Sequence, residues 1–132
     1  AIGRACTSRD YLQAQRIRTR AMAHFANALK QVDVIVTPTT AITAPPIRGD
    51  VMPDGESDLS VATEAMRFVI PGNFTGLPAV SFPAGYDSHG LPIGFQVMGK
   101  HWREHTLLRI ARAAEANITR KAPEVHYNIL EK

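Results

Sequence analysis

Asn73-Phe74-Thr75-Gly76-Leu77-Pro78-Ala79-Val80-Ser81-Phe82-Pro83-Ala84-Gly85-Tyr86-Asp87 is the stretch on which the reading of this 132-residue chain turns. Within it, Ala79 to Ala84 reads as a strand. The residues Gly85 to Pro92 form a connection rich in Gly, Asp, Ser and Pro. A second strand is predicted from Ile93 to Met98, so the two strands make a hairpin-like pair.

Working outward, the C-terminal side carries a helix from Glu104 to Ala116, with Leu107, Ile110, Ala111 and Ala114 on its inner face. On the N-terminal side a helix over Ser60 to Val69 is expected to end at Ile70-Pro71-Gly72. Before it, residues 38–59 contain four prolines (38, 45, 46 and 53) and two glycines, which predicts a long irregular loop. Val32-Asp33-Val34-Ile35-Val36 is short and β-branched and reads as a buried strand. The first element is a helix from Ser8 to Gln31, capped by Thr7 or Ser8, with Asp10 in its first turn. Tyr11, Ala14, Ala21, Met22, Phe25, Ala28 and Leu29 form its apolar stripe, interrupted by Arg18. The order of elements predicts an α/β arrangement: helices packed on a partial, mixed β-sheet, one unit over residues 1–132. Three strands leave at least one edge unpaired, which points to more of the sheet lying elsewhere.

Composition is that of a globular chain, 45% hydrophobic and 20% charged, which argues against wholesale disorder. No apolar run approaches the roughly 18 residues needed to span a bilayer. The start, Ala1-Ile2-Gly3-Arg4, does not read as a secretory signal, and Cys6 is the single cysteine. These features favour an intracellular location and a processed or excised chain. Fifteen Lys and Arg against 12 Asp and Glu give +3. The early arginines are spaced as a solvated helix face and lack interleaved aromatics, so nucleic acid is not the expected partner.

Four segments, in order, resemble the C-terminal third of amidase-signature enzymes. They are Val32 to Thr40, the quoted stretch Asn73 to Asp87, Gly90 to Lys100 (GLPIGFQVMGK), and Thr106 to Arg109. The segment Glu56 to Asn73, with Ala65-Met66-Arg67-Phe68, is most similar to the plant-type fatty acid amide hydrolases of that family. The resemblance implies hydrolysis of an amide C–N bond by a serine, activated by a lysine through a second serine. A serine needs such a base to become nucleophilic, and backbone amides then hold the oxyanion. The Gly/Ser-rich segment and lysine that would carry this chemistry are not in this sequence, nor is a G-x-S-x-G or S-x-x-K motif. The chain alone is therefore expected to be inactive, with no catalytic residue and no cofactor. Its expected partners are an apolar amide, the missing N-terminal amidase segment and, in a homo-oligomer, further copies of itself. Membrane association of the parent protein stays open.

The resemblance also implies that the helix and turn over Ala65 to Thr75 border an acyl channel, which makes Met66, Ile70, Asn73 and Phe74 the candidate substrate-binding residues. The alternative is that Met66 and Phe68 are core side chains at helical spacing. Glutamine-hydrolysing amidotransferases resemble the chain too, but carry an acidic residue at the place of Met66. A carboxylate suits an ammonium group, whereas a thioether suits an apolar chain. Ser81 is expected to be a structural serine, since Phe82-Pro83 follow it and no base is evident. His101 and His105 are four apart, but Trp102 occupies the place of the glutamate in H-E-x-x-H. His89 reads as a turn residue. The two Asn-x-Thr sequons, at Asn73 and Asn117, are not expected to be glycosylated without a signal peptide.

Overall fold

The computed structural model describes residues 3, 5–49 and 58–122 of the chain. The middle of the expected loop, residues 50–57, and both termini lie outside the described residues.

Helix α1, Ser8–Gln31, opens on a capping box. The Asp10 amide donates to Thr7 Oγ1 at 3.3 Å, and Asp10 Oδ2 accepts from the Thr7 amide at 2.9 Å. Strand β1, Val34–Pro38, follows after a short turn. Two short helices come next, α2 at Leu59–Met66 and α3 at Ile70–Thr75. Strands β2, Ala79–Tyr86, and β3, Pro92–Gly99, form the hairpin, and α4, Glu104–Glu115, ends the described core.

The sheet order is β1-β3-β2, antiparallel throughout. β3 is central and its end is the most buried part of the molecule: Gln96, Val97, Met98 and Gly99 are all inside. The register pairs Val36 with Val97 and Val80 with Val97 on one sheet face, and Ile35 with Met98 and Ala79 with Met98 on the other. On the first face Phe82 and Phe95 meet at 5.5 Å between ring centres, and Leu107 of α4 packs against Gly99. On the second face the Met98 thioether lies against Gly72 of α3, and α1 packs outside α3. Three layers result, with the sheet between α4 and the α2–α3 pair.

Two expectations need correcting. Val32–Val36 is not a buried strand: β1 starts at Val34, is an edge strand, and leaves Val36 51% exposed. β-branched residues suit a pleated edge as well as a centre, so composition did not separate the two. Nor does Ile70-Pro71-Gly72 end a helix. The chain makes a turn after Met66, and Pro71 sits in the first turn of α3, where its missing N–H costs no hydrogen bond.

Among the described residues neither β1 nor β2 has a strand paired on its outer side. The Thr39 amide donates to the Gly94 carbonyl at 2.8 Å, so by antiparallel alternation Val34, Val36 and Pro38 turn their backbone groups outward. The Gly99 amide donates to the Pro78 carbonyl at 3.0 Å, which likewise turns Ala79, Ser81 and Pro83 outward on β2. Pro38 and Pro83 thus stand where no ladder bond is lost, as prolines in edge strands do. A register shift between Pro83 and Gly85 further breaks the β2 edge.

Candidate functional site

The α2–α3 corner carries all four candidate binding residues. Asp58 caps α2, its Oδ1 accepting from the Ser60 and Val61 amides at 2.8 and 3.3 Å. The Ser60 hydroxyl and these two amides hold the Asp58 carboxyl below its ordinary range. Glu64 and Arg67 form an ion pair on the same helix. The turn from α2 into α3 is closed by the Val69 amide on the Met66 carbonyl at 3.1 Å. Within α3 the buried Thr75 hydroxyl donates back to the Pro71 carbonyl at 2.7 Å, and Gly76 ends the helix at φ +76°, the left-handed conformation that favours glycine.

Ile70, Asn73 and Phe74 are three and four apart on α3 and therefore share a face, while Met66 ends α2 one turn earlier. Met66 is 51% exposed and Ile70 is 49% exposed; Asn73 is exposed and Phe74 half-buried. Met66 is thus not a core side chain of this chain. None of the four lines the cleft beside α1 described next.

That cleft, about 360 Å³, runs between α1 and the turns after α3 and β3. Met22, Phe25, Ala26 and Leu29 of α1 line it together with Leu77, and Lys30, Lys100 and His101 stand around it. Arg18, the residue that breaks the apolar stripe of α1, reaches across to donate its Nε to the Phe74 carbonyl at 2.8 Å. It fixes α1 to the corner. The sequence held no sign of this, because the partner is a main-chain oxygen 56 residues away.

A polar network crosses the sheet face beneath the corner. The buried Gln96 amide donates to the Phe68 carbonyl at 2.9 Å and to Thr37 Oγ1 at 3.1 Å. Beside it, Thr39 Oγ1 and Ser81 Oγ are 2.5 Å apart over Gly94. Ser81 therefore shares its hydroxyl with another hydroxyl, and among the described residues no base is hydrogen-bonded to it. Without a proton acceptor it stays a poor nucleophile. Gln96 and Thr39 carry no local signal of their own; the alternation that places Thr37, Thr39, Ser81 and Gln96 on one face becomes readable only once the register is known.

His101 lies in the turn before α4 and His105 in its first turn, so the two do not share a helix face. Among the described residues no three His, Cys, Asp or Glu side chains are grouped to hold a metal ion, and no helix is long and apolar enough to cross a membrane. His89 sits in the turn after β2, its amide donating to Asp87 Oδ1 at 2.8 Å.

Comparison with known proteins gives this arrangement its family. The family model described as Amidase matches residues 2–108. A fatty acid amide hydrolase of Arabidopsis thaliana is 49% identical over 132 residues, covering 98% of this chain and 22% of that protein. The A subunit of the glutamyl-tRNA(Gln) amidotransferase of Trichormus variabilis is 44% identical over 107 residues, 80% of this chain and 21% of its own. Among solved structures, the corresponding A subunit of the glutamyl-tRNA(Gln) amidotransferase of Thermotoga maritima superposes with a TM-score of 0.69 at 36% identity, over 81% of this chain and 22% of that one. A crystal structure of an amidase gives 0.73 at 25% identity, over 89% and 27%. The chain spans about a fifth of the length of the curated relatives it matches.

Proposed function

The chain belongs to the amidase family, and from that premise we propose that it is part of a hydrolase of apolar, fatty acyl amides, in which it supplies sheet and a wall of the substrate channel. The observation that carries this reading is the α2–α3 corner. Met66 and Ile70 stand half exposed there, in a chain 49% identical to a plant fatty acid amide hydrolase. Fully burying such a side chain is worth roughly 1.5–3 kcal/mol, and about half of that remains to be gained at each of these half-covered residues, so an acyl chain laid along them is held by burial. Phe74 extends the apolar surface, and the Asn73 amide gives it one polar point with which to orient a carbonyl or head group.

In this reading the covalent chemistry belongs to residues outside the chain. A serine activated by a lysine through a second serine attacks the amide carbon, the amine leaves with a proton, and water releases the acid. The partner is then the remaining part of the amidase fold, seated on the open sheet. Incubated alone with a fluorophosphonate probe, the chain stays unlabelled; stoichiometric labelling abolished by Ser81→Ala would refute the reading.

The substrate class is tested by placing the chain in the matching segment of the Arabidopsis enzyme. The hybrid is expected to hydrolyse a long-chain acyl amide. Met66→Glu should lower kcat/KM for it by about tenfold or more, since it sets a carboxylate against the acyl chain. A hybrid that turns over glutamine but no acyl amide would favour the glutamine-hydrolysing amidotransferase reading instead. The open edges of β1 and β2 favour one further reading, a non-catalytic interaction module. A hybrid without amide turnover that still captures a partner through β1 would support it.

A further inference from the structure

The cleft along α1 has apolar walls and cationic surroundings, and among the described residues no ion pair to Arg18, Lys30 or Lys100 is seen, although Asp33 continues the β1–β3 register opposite Lys100. Lys30 donates to a neutral partner, Asn27 Oδ1, at 3.1 Å, and Arg18 donates to a neutral carbonyl. The ion pairs seen among the described residues, Glu64 with Arg67 and Glu115 with Arg112, lie elsewhere. Arg18 is half-buried, one helical turn before Met22. Its Nη2 and the His101 Cε1 each lie 3.9 Å from the Cβ position of Gly76, so guanidinium and imidazole approach the same spot. Lys100 and His101 are set by a tight turn, closed by the Arg103 amide on the Lys100 carbonyl at 3.1 Å. A half-buried guanidinium ordinarily meets a carboxylate or phosphate, and here no described side chain supplies one.

We propose that this cleft is a binding site for a single-chain amphiphilic anion, a long-chain carboxylate. Its alkyl chain lies along Met22, Phe25, Ala26 and Leu29, and its head group among Arg18, Lys100 and His101. From Met22 to Leu29 the helix rises about 10 Å, which makes the site a slot rather than a patch. Its volume of about 360 Å³ falls at the small end of ligand pockets, which run from roughly 300 to 1,000 Å³. That admits one chain, not a two-chain lipid. A bilayer surface would require apolar side chains that protrude, whereas these line a concavity. The assignment stands on the cleft alone and does not depend on the reaction proposed above.

Calorimetric titration of the chain with dodecanoate, and in parallel with dodecanol, tests it. Dodecanoate is expected to bind one-to-one and saturably, with dodecanol roughly fivefold to tenfold weaker, as exposed charges at the head group would give. The double variant Lys100→Gln/His101→Gln, at two exposed head-group positions, should bring dodecanoate down towards the dodecanol level and leave dodecanol unchanged. Ala26→Trp should fill the slot and abolish both. The proposal is overturned by the absence of saturable binding, by equal affinity for the alcohol, or by undiminished carboxylate binding in the Lys100→Gln/His101→Gln variant. It also fails if only phosphatidylglycerol vesicles bind, or if the cleft closes by pairing with a second copy that dodecanoate does not displace.

Discussion

At the scale of single residues, Gly94 on the central strand is, of the described glycines, the one with least room for a side chain. A Cβ built there would come within 2.7 Å of Thr39 Oγ1 and 2.8 Å of Thr39 Cβ, and 3.6 Å from Ser81 Oγ. The hydroxyl pair crossing the sheet therefore needs a residue with no side chain beneath it. Gly94→Ala is expected to push Thr39 away from Ser81 and destabilise the chain by about 1–3 kcal/mol, the usual cost of overpacking. A lowered urea midpoint at unchanged slope would record this. Gly85→Ala is the matched control, since nothing lies within 4 Å of its Cβ position; its midpoint should hardly move.

The elements show what a single sequence can and cannot tell. α1 and the β2–β3 hairpin were legible because each states its own period and its own ends: Thr7 with Asp10 at one helix start, Asp87 to Leu91 in one turn. The α2–α3 corner was misread because Pro71 carries two meanings, stop and start, and only the turn before it decides between them. Arg18 looked like a flaw in an apolar stripe, and its purpose lay in a carbonyl distant along the chain. The common face of Ile70, Asn73 and Phe74 was not legible, because the sequence reading put them in a turn after a helix and they stand on α3. The Thr39–Ser81 and Gln96 bonds depend on strand register, which no local pattern states.

The same short elements are where pH should act. Hydrogen bonds hold three carboxyls below their ordinary range: Asp10 by the Thr7 hydroxyl and amide, Asp58 by Ser60 and Val61, and Asp87 first by the Leu91 amide. A carboxyl whose folded pKa is depressed adds stability that is full above its unfolded pKa and fades as pH falls through the folded one. The contribution should thus be intact at neutral pH and be lost below about pH 4. α2 has eight residues and depends on its cap more than a long helix does. Asp58→Asn should keep much of the cap and flatten part of the acid limb of a thermal-melt series. Asp58→Ala should lower the melting temperature at neutral pH as well, and a series in which both variants match the parent at every pH would contradict this account.

For the whole molecule, the decisive property is a sheet whose outer strands, β1 and β2, have no further strand paired to them among the described residues. Its edges are not equal. On β2 the outward positions are Ala79, Ser81 and Pro83; a register shift follows, and at the strand's end the Lys121 amide donates to the Tyr86 hydroxyl at 2.6 Å, so the segment after α4 returns to this strand. On β1 two outward residues, Val34 and Val36, likewise precede a proline, Pro38, but the register is unbroken along the strand and Val36 is half exposed. β1 is therefore the edge on which pairing is expected, whether with the rest of an amidase fold or with another copy. In isolation the chain should self-associate with rising concentration, seen as an increase in mass by light scattering at micromolar levels. Val36→Lys places a charge on that edge and should return the mass towards that of one chain, whereas Ser81→Lys on the broken edge should change it little. If the two substitutions act equally, or Ser81→Lys alone disperses the chain, β2 is the edge that pairs and this ranking of the two is wrong. If neither acts, association runs through the exposed apolar side chains at Met66 and Ile70, and Met66→Glu should then disperse it.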